Sequence, residues 1–110
     1  MPEFASDAEF RTAAFDALRI LLDQIDALDH EDVDARLSEG SLVVSFESGG
    51  TYMLSLQTPT HELWLSANLT AWHFRRSGGR WIERDTSEPM AVVLGRLFSE
   101  KLNSPVKLEL

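Results

Sequence analysis

The sequence has 110 residues, no cysteine and a formal net charge of −8 at pH 7. This length predicts a single domain over residues 1–110, with a core that needs no cross-link. The absence of cysteine excludes disulfides, thiolate nucleophiles, and zinc sites or iron–sulfur clusters held by the chain's own sulfur. Because no apolar run approaches ~20 residues and the start does not resemble a signal peptide, we expect a cytoplasmic protein.

The charge is concentrated in the first third of the chain. Residues 1–39 contain eleven acidic residues and three arginines, whereas residues 40–110 contain seven acidic and seven basic residues. The whole net charge of −8 therefore belongs to residues 1–39. Such a field repels nucleic acid and anionic membranes, and it attracts cations or a basic protein surface.

The first predicted element is a long amphipathic helix over residues 6–28. Ser6 is a suitable N-cap for it. The opposite face of this helix is acidic and includes Asp23 and Asp26. Its core face is marked by apolar residues that recur at helical spacing: Phe10, Ala14, Ala17, Leu21 and Ile25.

After residue 32 the period of the apolar residues changes from 3.6 to 2, which predicts five or six short antiparallel strands. Glycine-containing turns near residues 40, 49 and 78, and a break at residues 58–60, separate these strands. The residues predicted to face the core, in chain order, are Val33, Ala35, Leu37, Leu42, Val44, Phe46, Tyr52, Leu54, Leu56, Leu63, Leu65, Trp72 and Phe74.

A second helix is predicted to begin within "DTSEPM" (residues 85–90), because small polar residues and a proline favour helix starts. Its apolar stripe is Met90, Val93, Leu94, Leu97, Phe98 and Leu102. The remaining tail, residues 104–110, is predicted to form a short edge strand or an extended cover.

These elements predict an α+β fold, a two-layer α/β sandwich. Two helices pack side by side on one face of a five- to six-stranded antiparallel sheet, and the other face is open to solvent.

The stretch "HELWLS", residues 61–66, places a tryptophan on that open face. Alternation turns Leu63 and Leu65 to the core and Glu62 and Trp64 outward, next to solvent. Tryptophan is the residue type most enriched at binding hot spots. Trp64 is therefore either a partner contact or a residue covered by a loop or by the tail.

The sequence contains none of the common catalytic motifs. There is no G-x-S-x-G, P-loop, G-x-G-x-x-G after a strand, or H-E-x-x-H. The three histidines are too scattered for a metal triad: His61 is predicted at the core edge, and His73 faces outward without an assigned role.

An acidic run follows the end of the first helix and the start of the first strand. We expect its carboxylates to form one ridge. One interpretation is a solvated face whose charges protect a sheet edge. The other is a binding surface, because negative charge at a helix C-terminus costs about 0.3–1 kcal/mol per residue. Carboxylate ligands favour hard cations at several weak sites. The run comprises Asp23, Asp26, Asp29, Glu31, Asp32 and Asp34.

Three segments of the sequence resemble the frataxin family: "SLQTPTHELWLS", "AWHF" and "GGRWIERDTSEPMAVVLGRLFSEKL". The acidic first helix and first strand match as well, so the resemblance spans about residues 9–102 in the correct order. "AWHF" and the lack of a presequence favour the bacterial branch of the family.

The resemblance implies a protein that binds iron, Fe²⁺ or Fe³⁺, weakly through its acidic ridge. It also implies a role in iron–sulfur cluster assembly by docking on the cysteine desulfurase and its scaffold protein, mostly as a monomer. Carried over to this sequence, the ridge positions are Asp23, Asp26, Asp29, Asp32 and Asp34. The sheet-face positions are Trp64 and Gln57, with Ser55 and Glu62 beside them.

Some residues depart from the family pattern. Ser55 stands where asparagine is common, Glu62 where glutamine is common, and Ala71 where mitochondrial members have arginine. The far end of the predicted sheet is also more basic than the resemblance leads us to expect, through Arg75, Arg76, Arg80 and Arg84. These departures concern the docking surface more than the fold.

Three functional classes fit the sequence. The protein is an iron carrier for cluster assembly, an iron-independent regulator of the desulfurase, or an iron-oxidising or iron-storing enzyme. The third is not favoured, because the sequence shows no compact histidine–carboxylate centre. The first two use the same acidic ridge, so the sequence does not separate them.

Overall fold

The computed structural model of the protein describes residues 3–110, which contain two α-helices, a short 3₁₀ helix (Thr58–Thr60) and six strands. The strands pair antiparallel in chain order from β1 to β6, and both helices contribute to one core on the sheet. The predicted α+β sandwich is therefore confirmed. The helices are α1 (Asp7–Ala27) and α2 (Met90–Leu102). The strands are β1 (Val33–Ser38), β2 (Ser41–Phe46), β3 (Thr51–Gln57), β4 (Glu62–Ala67), β5 (Thr70–Ser77) and β6 (Arg80–Glu83).

Helix α1 forms where the sequence predicts it. The Ser6 hydroxyl accepts a hydrogen bond from the backbone N–H of Glu9 at 3.1 Å, which caps the helix N-terminus. Phe10, Leu18 and Leu21 are completely buried. Each such side chain contributes about 1.5–3 kcal/mol when it leaves water, so the apolar face holds α1 against the sheet.

The strands bury the face that the alternation predicts except at Leu37, and on the opposite face Val43 and Glu62 are buried as well. Leu37 was predicted to face the core, but it is 38% exposed at the end of edge strand β1. An edge strand has a neighbour on one side only, and Leu37 pairs with Leu42 without becoming covered. The inward residues Leu54, Leu63, Leu65 and Phe74 of the central strands are buried.

The second helix starts at the last residue of the predicted segment 85–90, but the small polar residues before it do not cap it. Helix α2 begins at Met90, with Pro89 before it and no side-chain cap. The residues before Pro89 form a turn instead, because the buried Glu83 carboxylate accepts backbone N–H groups of Asp85 (2.7 Å) and Thr86 (3.1 Å). The polar residues of "DTSEPM" therefore serve this turn and not the helix.

The tail is an extended cover and not a strand. Leu108 is buried, and the Ser99 hydroxyl on α2 accepts the backbone N–H of Val106 at 2.8 Å. On α1, the Gln24 side chain both donates to the carbonyl oxygen of Glu109 and accepts from its N–H. The tail is thus fixed to both helices.

Neither helix in the described part of the chain, residues 3–110, is long and apolar enough to cross a membrane.

Candidate functional site

The sheet face opposite the helices carries Trp64 at its centre. The strand register places Trp64 between Ser55 on β3 and His73 on β5. Its side chain is 36% exposed, and its ring meets the His73 ring edge to face, with centroids 4.7 Å apart. Its exposure shows that no loop covers it. The tail packs on the two helices, on the other side of the sheet. The prediction that Trp64 faces outward is confirmed.

Glu62 fixes the orientation of the Trp64 indole. The indole Nε1–H donates to Glu62 Oε1 at 2.9 Å, and Arg84 Nη1 donates to the same oxygen at 3.2 Å. Glu62 was expected to face water, but it is only 5% exposed. The expectation is wrong because Trp64 and Arg84 close over the carboxylate and replace its water with hydrogen bonds and an opposite charge.

The other two predicted sheet-face residues lie beside this group. Ser55 is the cross-strand neighbour of Trp64, and Gln57 is the neighbour of Glu62. The Gln57 amide donates to the Ser55 hydroxyl at 3.3 Å. Ser55, Gln57, Glu62 and Trp64 therefore form one continuous patch on β3 and β4.

The acidic residues occupy a consecutive stretch from the end of α1 through the loop into β1. Asp23 and Asp26 are exposed on α1, and Asp29 is exposed in the loop, where its backbone has a φ of 48°. Glu31 is exposed in the next turn, and Asp34 is exposed on β1. These five carboxylates are accessible to a cation or to a partner. We call them, together with Asp32, the acidic ridge.

Asp32 differs from the rest of the acidic ridge because its carboxylate is already used. Its Oδ1 accepts the backbone N–H of Ser48 at 2.7 Å, and its Oδ2 accepts the Ser48 hydroxyl at 2.9 Å. These two hydrogen bonds hold the pKa of Asp32 below its ordinary value. Asp32 joins the start of β1 to the turn between β2 and β3, and a bound ion would have to share it with Ser48.

The acidic ridge is not a metal cage. Over residues 3–110, no three histidine or carboxylate side chains are close enough together to hold a metal ion as a group. Five of the six predicted ligands are exposed along the chain from α1 to β1, and among residues 3–110 no three ligating side chains meet at one point.

The sequence analysis did not identify Arg84 and His73 as neighbours of Trp64 on the open sheet face. Arg84 lies after β6, and its backbone N–H donates to the carbonyl of His73 at 2.9 Å, which places it in the row of Trp64 and His73. The position of Arg84 could have been predicted from the register of the β5–β6 hairpin, which the turn at Gly78 and Gly79 sets. Counting pairs outward from that turn puts residue 84 opposite residue 73.

This sandwich, with an acidic α1–β1 edge and an exposed tryptophan on its open sheet face, is that of the frataxin-like class. Residues 3–104 match the family model described as the frataxin-like domain, so the chain belongs to this family.

Among curated proteins, the chain is similar to several that are named iron–sulfur cluster assembly protein CyaY. The protein from Ralstonia nicotianae is 34% identical over 71% of this chain and 73% of its own length. The protein from Variovorax paradoxus is 29% identical over 93% of this chain and 96% of its own length. The recognised family and its bacterial branch are therefore confirmed.

Two solved structures agree with the fold. Frataxin from Psychromonas ingrahamii aligns with a TM-score of 0.88 over 96% of this chain and 99% of its own, at 21% identity. A trimeric frataxin from the yeast Saccharomyces cerevisiae, described as "complexed with ferrous", has a TM-score of 0.74 at 26% identity. The yeast alignment covers 84% of this chain and 87% of the yeast chain.

Proposed function

We propose that this protein binds iron and acts in iron–sulfur cluster assembly, where it delivers iron to the cysteine desulfurase–scaffold complex or regulates that complex. Family membership and the names of the curated relatives support this proposal. In the proposal the protein is a cytoplasmic monomer whose partners are proteins. Catalysis, including iron oxidation, is not part of it.

The observation that carries the proposal is the fixed, partly exposed Trp64. Its only polar atom is bonded internally to Glu62, and its ring rests against His73. A partner that covers this indole leaves no hydrogen bond unsatisfied and meets a side chain that has little rotamer entropy left to lose. A held aromatic ring on an open sheet face is therefore ready to serve as an anchor.

The acidic ridge supplies the second half of the proposal. Its exposed carboxylates offer oxygen ligands, which suit Fe²⁺ and Fe³⁺ as hard or borderline cations. Separate carboxylates bind weakly and release readily, which is what a cargo ion requires. The same negative surface attracts a basic patch on the desulfurase and speeds its association.

A second candidate is an iron-independent regulator that docks through the acidic ridge and the Trp64 patch. The spread of the carboxylates over α1, the loop and β1 favours this candidate, because an extended strip suits a protein surface better than it suits one ion. In that case iron binding is incidental.

The test neutralises the ridge and reads out the two activities separately. In the variant Asp23→Asn/Asp26→Asn/Asp29→Asn, we would measure Fe²⁺ affinity by anaerobic titration calorimetry and desulfurase affinity by biolayer interferometry. A matched control removes three charges elsewhere, at the exposed Glu9, Glu100 and Glu109.

Loss of iron binding with intact docking supports iron delivery, and loss of docking with intact iron binding supports the regulator. If the ridge variant matches the control in both measurements, the ridge has neither role. Separately, Trp64→Ala should weaken docking by about tenfold or more, as hot-spot tryptophans do. Unchanged docking of that variant would remove the sheet face from the proposal.

A further inference from the structure

The open sheet face carries an exposed thioether, that of Met53. Met53 lies on β3 between the core residues Tyr52 and Leu54, so its side chain points to the opposite face of the sheet, where it is 42% exposed. Its cross-strand neighbours are Val43 on β2 and Ser66 on β4. The thioether is therefore accessible to a small solute on the face opposite the helices.

Met53 borders the Trp64 patch, which consists of Ser55, Gln57, Glu62 and Trp64. The pair of Met53 and Ser66 is followed, two residues along the strands, by the pair of Ser55 and Trp64. Two residues span about 7 Å of strand, and diagonal neighbours on one face of an antiparallel pair lie within reach of long side chains. A partner that covers the Trp64 indole therefore meets the Met53 side chain as well.

Thioethers are the only sulfur groups of this protein, because the sequence has three methionines and no cysteine. Met90 is completely buried in the core, and Met1 lies outside the described residues. In the described part of the chain, residues 3–110, Met53 is thus the one methionine with an accessible side chain.

Hydrogen peroxide converts such a thioether into a sulfoxide. The sulfur lone pair attacks one peroxide oxygen, an S–O bond forms, and the O–O bond breaks. A proton passes to the leaving oxygen, which departs as water. Sulfur is oxidised by two electrons and the peroxide is reduced, so no further reactant is needed. The product is a polar, chiral side chain that methionine sulfoxide reductases convert back to methionine.

From this placement we infer that Met53 is a reversible oxidation site and that its sulfoxide weakens docking on the Trp64 patch. The sulfoxide oxygen is hydrated in the free protein. A partner that covers it must remove that water, which is unfavourable unless the partner supplies a hydrogen-bond donor. The effect on docking rests on the proposed function, whereas the oxidation itself does not. Because Met53 lies outside the core, its oxidation leaves the fold intact.

The first experiment locates the oxidation. The protein is treated with hydrogen peroxide, the peroxide is removed by gel filtration, and fragmentation mass spectrometry of the tryptic peptides locates the added oxygen. Met53 should take up oxygen about tenfold faster or more than the buried Met90, and the oxidised protein should keep the urea midpoint of the untreated protein. Methionine sulfoxide reductases should remove the added oxygen. Equal rates at Met53 and Met90, or oxygen on a tryptophan instead of Met53, would overturn the inference.

The second experiment measures affinity for the purified desulfurase–scaffold complex, which is not itself exposed to peroxide. Oxidation should weaken wild-type binding by about fivefold or more. Met53→Gln, which places a polar side chain of similar length on this face, should weaken binding in the same direction without any oxidant. Met53→Leu keeps the apolar volume and removes the sulfur, so peroxide should not change its affinity. Val92→Gln is the matched control, since Val92 is 56% exposed on α2 and its change should alter affinity by less than about twofold.

The outcomes separate the oxidation site from the proposed function. If peroxide weakens the binding of Met53→Leu as much as that of wild type, another residue is responsible and the inference is overturned. A fully oxidised Met53 with unchanged docking, together with unchanged docking of Met53→Gln, would overturn the effect of the sulfoxide. If the untreated wild-type protein does not bind the complex, the proposed function fails and the effect on docking fails with it. The mass spectrometry still decides in that case whether Met53 is the oxidation site.

Discussion

The Trp64 indole is held by groups that the protein supplies itself. Glu62 accepts its N–H, Arg84 balances the buried carboxylate, and His73 supports the ring edge to face. A buried carboxylate without partners would cost several kcal/mol, so the burial of Glu62 depends on its hydrogen bonds from Trp64 and Arg84. The exposed face of the indole is thereby presented in one orientation.

Replacing Glu62 tests this arrangement. Glu62→Ala removes the acceptor of the indole N–H and should lower the free energy of unfolding by about 1–3 kcal/mol. Glu62→Gln keeps an acceptor oxygen, and Arg84 is exposed enough, at 41%, for water to solvate its charge, so this variant should lose less than half as much. Urea denaturation measures both.

The indole N–H signal of Trp64 in an ¹H–¹⁵N spectrum provides the second readout. It should move toward the position of a free indole in Glu62→Ala and remain close to wild type in Glu62→Gln. Equal stability and equal spectra for the two variants would show that Glu62 does not hold the indole.

Glu83 is a second buried carboxylate, and it has a different role. Burial alone raises the pKa of Glu83, but the backbone N–H groups of His73, Asp85 and Thr86 outweigh that effect and lower the pKa below its ordinary value. The ionised form is therefore the one that the fold stabilises. Glu83 joins the end of β6 to the turn before α2.

The lowered pKa of Glu83 predicts acid sensitivity. Its contribution to stability is complete above the ordinary glutamate pKa of about 4.3, and it declines as the pH falls through that value toward the lower pKa of the folded state. Glu83→Gln should cost about 1–3 kcal/mol at pH 7, because its amide nitrogen accepts no hydrogen bond.

Urea titrations between pH 7 and pH 3 measure this effect. The stability of Glu83→Gln should fall less steeply below pH 4.3 than that of wild type. Asp32, whose pKa is also lowered, leaves a residual slope of the same sign. The exposed Glu47→Gln is the control and should follow the wild-type curve.

At the scale of elements, the tail completes the helical layer. Gly95 on α2 lies directly under it, since a Cβ built on Gly95 would lie 3.2 Å from the carbonyl oxygen of Val106. Leu108 then enters the core, while Leu110 stays exposed. The extended segment thus contributes to the hydrophobic core without being a strand.

Truncating one leucine of the tail measures that contribution. Leu108→Ala should lower the free energy of unfolding by about 2–4 kcal/mol, because Leu108 is 5% exposed and its side chain fills the core. Leu110→Ala is the matched control: Leu110 is 49% exposed, and its loss should cost less than about 0.5 kcal/mol. Similar costs for both variants would mean that the tail does not pack as described.

The elements followed from the sequence where one local pattern determined them. The 3.6-residue period of α1, the alternation in β2 to β5 and the glycine turns predicted the order and facing of the elements, and they left the number of strands at five or six. Leu37 shows the limit of this pattern. Alternation tells which way a side chain points, but not whether another element lies there to cover it.

The contacts of the candidate site depended on pairs that are distant in the chain. Glu62 is buried because Arg84, twenty-two residues later, reaches it, and Glu83 accepts the backbone N–H of His73, ten residues earlier. Neither pairing leaves a periodic signal. The outward direction of Trp64 was predictable, but the hydrogen bond that fixes it was not.

At the scale of the whole molecule, the net negative charge belongs to residues 1–39, which include the acidic ridge. The acidic ridge contains the end of α1, where negative charge opposes the helix dipole and the carboxylates repel one another. Within residues 3–110, no basic side chain lies within 4 Å of the carboxylates of Asp23, Asp26 or Asp29. The fold therefore carries an electrostatic cost at the surface that we propose for binding.

Because of this cost, neutralising the acidic ridge should raise the free energy of unfolding, even though we propose that it weakens binding. The variant Asp23→Asn/Asp26→Asn/Asp29→Asn changes the net charge from −8 to −5 and removes the unfavourable charges at the end of α1. Asparagine also accepts the positive φ of position 29 readily. The free energy of unfolding should rise by about 1 kcal/mol, which corresponds to roughly 4 °C in Tm for a chain of this size.

The salt dependence of the free energy of unfolding tests whether charge repulsion causes the higher stability of the ridge variant. Raising NaCl from 20 to 500 mM screens the repulsion between the ridge carboxylates, so it should stabilise the wild type. The difference in free energy of unfolding between the variant and the wild type should then fall to about half or less. The control that removes charges at Glu9, Glu100 and Glu109 keeps the ridge and should keep the wild-type salt response. A ridge variant that is less stable than wild type at low salt would mean that these carboxylates support the fold, and their cost could then no longer be taken as a sign of binding.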